Sequence, residues 1–140
     1  MARAFIAKEL HFVIKNETAL LGMVTSALAV EGIYIIHMCA YSAGNQGYMQ
    51  MVTKDNQKAK KALAHFIPGI EERDCLIVEF ENKHGTLSPV AKILGQNGIF
   101  IDYVYGTSGD GFKIVGVFHT NDNVKAAEVI NLESGALGLS

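Results

Sequence analysis

The chain is written on an internal repeat. An offset of 66 residues lays Gly32 on Gly98, Asn16 on Asn82, Leu21 on Leu87, Val24 on Val90 and Leu28 on Leu94. The same offset lays Ile33 on Ile99, Ile35 on Ile101 and Ser42 on Ser108. One extra residue in a later loop then pairs Asp55 with Asp122, Lys58 with Lys125 and Ala59 with Ala126. Glycines and apolar positions stay in phase, so both halves must fold as the same supersecondary unit.

Each half reads alike. "ELHFVIK" sets Leu10, Phe12 and Ile14 against His11, Val13 and Lys15, the period of a strand. "TALLGMVTSALAVEG" places Leu20, Met23, Val24, Ala27 and Leu28 on one helical stripe, with Gly32 as the stop. "IYIIHMCAYS" is a strand, "AGNQG" a hairpin turn and "YMQMVT" the returning strand. "DNQKAKKALAHF" is a second helix with Asp55 as N-cap. The second half repeats this with "CLIVEFE", "TLSPVAKILGQNG", "IFIDYVYGT", "FKIVGVFHT" and "DNVKAAEVI". Pro89 fits a first helical turn, where its missing N–H is not needed.

The order β-α-β-β-α, with a fourth strand expected after each second helix, is the split βαβ, ferredoxin-like unit. The expected class is α+β: two tandem ferredoxin-like βαββαβ modules, 1–70 and 71–140, each an antiparallel sheet with helices on one face. The first module's fourth strand falls at 70–74, either short or continuous with 75–82. The second falls in "NLESGALGLS", a poor strand sequence with its glycines. The strands "IYIIHMCAYS" and "IFIDYVYGT" are apolar on both faces, as doubly buried strands are. Helices cover one face, so the other is expected to meet another sheet, and a homodimer follows.

Composition narrows the function. Hydrophobic residues are 49 % and charged residues 19 % of 140, with a net charge of −2. Nothing in that balance draws the chain to nucleic acid or to an anionic membrane. Arg3 and Arg73 are the two arginines, so bidentate phosphate sites are scarce. No apolar run approaches the roughly 18 residues of a membrane span, and the N-terminus reads as no cleavable signal, so a cytoplasmic protein is expected. Cys39 and Cys75 are too few for a disulfide framework.

The phrase "VEFENKHGTLSPVAKILGQNGIFIDYVYGT", followed by "VGVFHTNDNVKAAEVI", resembles the ACT domain. That family is a ferredoxin-like regulatory module that binds amino acids in many metabolic enzymes. Residues 75–130 carry the resemblance, with His84 where proline is frequent. Residues 9–65 look like a diverged copy, with Ala19 where the family usually has glycine. The resemblance implies a stand-alone tandem ACT protein without a fused catalytic domain. It also implies a small amino-acid ligand and, as a partner, a regulated metabolic enzyme.

The candidate site follows from residues and resemblance together. At "NKHGTL" a strand gives way to a helix whose first N–H groups lack intrahelical partners, which suits a carboxylate. Gly85 lets a ligand approach the backbone. Asn82 offers both a donor and an acceptor, as an α-amino acid requires. Taken alone, the residues favour a plainer reading, in which Asn82 and Thr86 close the turn and cap the helix. The resemblance favours ligand binding by Asn82, Lys83, His84, Gly85, Thr86 and Leu87, with Asn16, Thr18, Ala19 and Leu20 paired to them near module interfaces.

No catalytic residue, metal or cofactor is called for. His37 and Cys39 share a strand face but are two ligands, not four. His65 and His119 stand alone in sequence, and Asp102 reads as a solvated edge residue. An RNA-recognition module would want a stacking aromatic where "GFKIVGVF" has Ile114. An acylphosphatase-type enzyme would need an arginine in a glycine-rich cradle. The competing functional reading is an oligomerisation or protein-interaction module with vestigial ligand sites.

Overall fold

The computed structural model describes residues 2–15 and 18–136, with side chains up to residue 133. The elements are β1 (Arg3–Lys15), α1 (Leu20–Val30), β2 (Ile35–Ala43), β3 (Gln46–Thr53) and α2 (Asn56–Leu63). They continue with β4 (Glu71–Glu81), α3 (Leu87–Gln96), β5 (Ile101–Thr107), β6 (Lys113–Thr120) and α4 (Asn123–Ala136). Two compact units form. One is Lys8–Arg73; the other combines Met1–Ala7 with Asp74–Ser140. The chain therefore changes unit inside β1 and again inside β4.

In the Lys8–Arg73 unit the strands run β2-β3-β1, with the first residues of β4 beside β1. β3 is antiparallel to both neighbours, with Leu10 opposite Met51, Phe12 opposite Met49, and Tyr41 opposite Tyr48. Leu10, Phe12, Met49 and Met51 face Leu20, Val24 and Leu28 of α1 and Ala59 and Leu63 of α2 in one buried cluster. The helical stripe is thus Leu20, Val24 and Leu28 with Ala27 packed beside them, while Met23, expected on it, is about half exposed.

In the other unit the order is β5-β6-β4, with the start of β1 beside β4. β6 is antiparallel to β4 and β5, with Val78 opposite Gly116 and Val104 opposite Phe118. Leu76, Val78, Phe80 and Phe118 pack on Val90, Ile93 and Leu94 of α3 and on Ala126 and Ile130 of α4. Ala2 and Ala4 belong to this same cluster.

Both helix stops have one cause. Gly32 and Gly98 adopt φ of 67° and 68°, the left-handed conformation that glycine takes without Cβ strain. Gly32 N–H donates to Ala29 and Ile33 N–H to Leu28; Gly98 N–H donates to Gly95 and Ile99 N–H to Leu94. Ile33 with Leu28, and Ile99 with Leu94, then lie in the respective cores, the apolar contact that completes a Schellman end.

Of the two fourth strands, the first takes the continuous form that the sequence allows and the second departs from expectation. The 70–74 segment is the beginning of one continuous strand to Glu81. The strand expected in 131–140 does not form over 131–136, where α4 continues; residues 137–140 lie outside the described ones. The reason is that the place is filled from the other end of the chain. Asn131 Oδ1 accepts the Ala4 N–H at 2.8 Å while its Nδ2 donates to the Ala4 carbonyl at 2.8 Å. One helical side chain thereby satisfies both backbone groups of a strand residue. Ion pairing adds Arg3 to Glu79 at 3.8 Å.

β2 and β5, apolar on both sides in sequence, are the outermost strands of their units. They leave Ile36, Tyr41, Ile101 and Val104 exposed.

Candidate functional site

The β4–α3 loop begins where the β4–β6 ladder ends at Glu81 opposite Lys113. Asn82 carries the ladder one step further. Its N–H donates to Phe112 O at 2.9 Å and its Nδ2 to Gly111 O at 3.0 Å. The backbone N–H of Asn82 and one hydrogen of its Nδ2 are thus engaged with the β5–β6 hairpin. Thr86 Oγ1 donates to Glu81 O at 2.8 Å and to Lys83 O at 3.1 Å. The plainer sequence reading is half realised: Thr86 closes the turn, but it makes no side-chain cap on α3. Gly85 supplies the reversal with φ of 77°, and a Cβ there would meet nothing within 4 Å.

Consequently α3 starts with uncapped N–H groups and with no acidic residue in its first turn. Lys83 Nζ sits 2.6 Å from Glu81 Oε2, and that ammonium holds the exposed Glu81 carboxyl below its ordinary range. His84 is exposed on the same loop, and Leu87 opens the helix half out of the core.

The facing hairpin is fixed from within. Asp110 Oδ1 accepts the N–H groups of Phe112 at 2.8 Å and Lys113 at 3.1 Å, and Ser108 Oγ accepts that of Gly111 at 2.8 Å. Those two backbone N–H groups, Phe112 first, lower the pKa of Asp110. Phe112 stands 78 % exposed at the tip.

The matching place in the first half is the β1–α1 turn. Asn16 lies outside the described residues. Ala19 takes the N-cap position of α1 without a side-chain cap, and no acidic residue occupies the first turn. Thr18 and Leu20 line a cleft of about 150 Å³ together with β2 and β3 residues, among them Tyr41 and Tyr48. The two tyrosine rings stack at 5.0 Å with planes 8° apart.

Two residues read as isolated in sequence are partners. Asp102 sits at a bulge between Ile101 and Tyr103, which brings its Oδ2 to 2.7 Å from His119 Nδ1. The imidazole stacks on Tyr103 at 5.2 Å, and Tyr103 on Tyr105 at 6.3 Å. The first half carries the same bulge between Ile35 and His37, but with Ile36 and Val52 in the corresponding places. The signal available in sequence was the repeat itself, since Ile36 and Asp102 are equivalent positions. Ile114 packs against the core cluster, so the position where an RNA-binding sheet presents an aromatic is turned inward here.

No family model matches the chain, and no curated protein matches it. Solved structures do. Protein BT0572 from Bacteroides thetaiotaomicron is 26 % identical with a TM-score of 0.85, over 94 % of this chain and 90 % of that one. The ligand-free regulatory subunit of aspartate kinase from Thermus thermophilus is 16 % identical with a TM-score of 0.66, over 92 % and 95 %. That from Thermus flavus is 20 % identical with a TM-score of 0.63, over 91 % and 90 %. The chain therefore has an ACT-like, ferredoxin-like α+β fold, the one on which these regulatory subunits are built.

Proposed function

We propose that the chain is a non-catalytic regulator made of two tandem ACT-like modules, dividing near residue 70, that binds a small amino acid at its strand-to-helix loops. The observation that carries this reading is common to both loops. α1 and α3 each begin directly after a strand and turn, with no side-chain cap and no acidic residue in the first turn. Such a start is matched to a carboxylate. The likeness to regulatory subunits of aspartate kinase supports a metabolic enzyme as the regulated partner. Regulation would arise because the ligand binds one state of the protein better than another and shifts the balance between them.

Thermal-shift and calorimetric titration across the amino acids test the proposal. A ligand at 100 times its dissociation constant stabilises by about 2.7 kcal/mol. Absence of any shift across the set refutes amino-acid sensing.

The alternative is an interaction module with vestigial sites. It draws support from the engagement of Asn82 with Gly111 and Phe112, and from exposed Ile36, Tyr41, Ile101 and Val104 on the outermost strands. Both readings include a homodimer. Sedimentation velocity at micromolar concentration checks it, and a monomer there contradicts it.

A further inference from the structure

We infer that the Lys8–Arg73 unit carries a further ligand site away from its strand-to-helix loop, in the cleft between α2 and the segment leading into β4, and that it takes an amphipathic anion: a compact oxyanion on an aliphatic body. The cleft measures about 330 Å³, within the range of small-ligand sites. Its apolar side is Ile67, which is buried, and Ile70, which packs on the core cluster. Its other side is a stripe of α2, where Gln57, Lys60, Lys61 and Ala64 recur at helical spacing. The run from 53 to 73 that builds it is described without a gap, and no described residue lining it is acidic. Glu72 Oε2 comes within 3.4 Å of Gln57 Nε2, at the edge of the cleft. Among the described residues neither Lys60 nor Lys61 has an ion-pair partner.

The repeat supplies the control. The offset of 67 lays Gln57 on Val124, Lys60 on Ala127, Lys61 on Glu128 and Ala64 on Asn131. α4 packs on its own sheet with none of the first unit's residues at these places, so the fold does not require the lysine pair. Where α2 has Ala64, Asn131 reaches out to both backbone groups of Ala4. Alanine cannot make that contact, and the space beside α2 stays open. A cleft whose charged groups share one sign focuses its field and concentrates anions. Lysine stems are flexible, so both ammoniums can close on one small oxyanion as point charges, with no fork geometry required. The aliphatic body would then leave water against Ile67, Ile70 and the stems themselves. A small anion without such a body gains only the slight benefit of exposed ion pairs. An α-amino acid would bring its own ammonium against two others. This cleft is therefore separate from the amino-acid site proposed above, and the two readings stand or fall independently.

Titration of the full chain with octanoate and with octyl phosphate, followed through the amide shifts of Ala64, Gly69 and Ile70, tests this. The probes share a body and differ in head, and the tighter one identifies the head group. At least one should bind saturably, and more weakly as salt is added. A fully buried methylene is worth about fourfold in affinity, so hexanoate, two methylenes shorter, should bind about five- to fifteenfold more weakly than octanoate. Octylammonium should leave these shifts unchanged. Two variants carry into α2 the residues that α4 bears at the equivalent places. Lys60→Ala with Lys61→Glu removes the positive pair and should weaken binding about tenfold or more. Ala64→Asn narrows the cleft and should weaken it without changing the charge. All three positions lie outside the buried core, so both variants should keep the parent's circular dichroism. Octylammonium binding as tightly as octanoate overturns the inference. So does binding that both variants leave within about twofold of the parent, and so does the absence of saturable binding by either probe.

Discussion

At the scale of single residues, two asparagines do what no local pattern announces. Asn56 Oδ1 accepts from Thr53 N–H at 3.1 Å and Thr53 Oγ1 at 2.7 Å, while its Nδ2 donates to Lys8 O at 3.0 Å. Asn123 does the same with Thr120 and Asp74, at 3.0, 2.6 and 3.1 Å. Each ties a helix start to the strand that its unit shares with the next. Asn56→Ala or Asn123→Ala should destabilise by about 1–3 kcal/mol, since a partly buried backbone N–H and a partly buried hydroxyl lose their acceptor and a carbonyl its donor. Asn56→Asp keeps the acceptor for Thr53 but sets a carboxylate against the Lys8 carbonyl, so urea unfolding should rank it with alanine. A second residue-scale expectation concerns Cys39. Burial, and then the charge of Glu9, push its thiol pKa up, which lowers the reactive thiolate fraction. Alkylation at neutral pH should be slow at Cys39, faster in Glu9→Gln, and absent at fully buried Cys75 until unfolding.

At the scale of elements, the helix stops were legible because a Schellman end is a short-range device. A glycine and the isoleucine after it suffice, and both repeat. Gly32→Ala and Gly98→Ala should each cost about 1–2 kcal/mol of left-handed strain, as a Cβ in either place touches nothing that could add or offset energy. Matched denaturation midpoints for the two variants check this, and a neutral result at either would deny its conformational role. The hairpins were legible as turns, yet not in what holds them. Asp110 orders the β5–β6 tip through two backbone N–H groups and has a lowered pKa. That ordering is complete above the ordinary carboxylate pKa of about 3.9 and fades as pH falls through the lowered value. Amide shifts of Phe112 and Lys113 should therefore stay constant from neutrality into the weakly acidic range and move together only below it. In Asp110→Asn this acid transition should vanish. The Asp102–His119 contact was illegible for a different reason: a bulge re-aims a side chain without leaving a mark in hydrophobic periodicity.

At the scale of the whole molecule, what sequence order could not convey is which end of the chain completes which sheet. The repeat points to a fourth strand after each second helix, and the first half obeys with Glu71–Arg73. In the second half that place belongs to residues at the start of the chain. Ala2 and Ala4 are small, locally unremarkable and more than 120 residues from Asn131, so no window of sequence could join them. Residues 131–136 are free to continue α4 because the strand is already supplied. This makes the stability of the Asp74–Ser140 portion depend on the first residues of the chain. Asn131→Ala removes two neutral hydrogen bonds to Ala4, and should cost about 2 kcal/mol. Deleting residues 2–7 removes the strand itself, with the burial of Ala2 and Ala4 and the Arg3–Glu79 contact. Hydrogen exchange locates the effect. Amides of β6 and α4 should lose more protection than those of β3 and α2, which draw their fourth strand from Glu71–Arg73. Equal loss in both sets would mean that the two portions unfold as one cooperative body; unchanged protection in β6 and α4 would mean that the N-terminal strand contributes nothing to their stability.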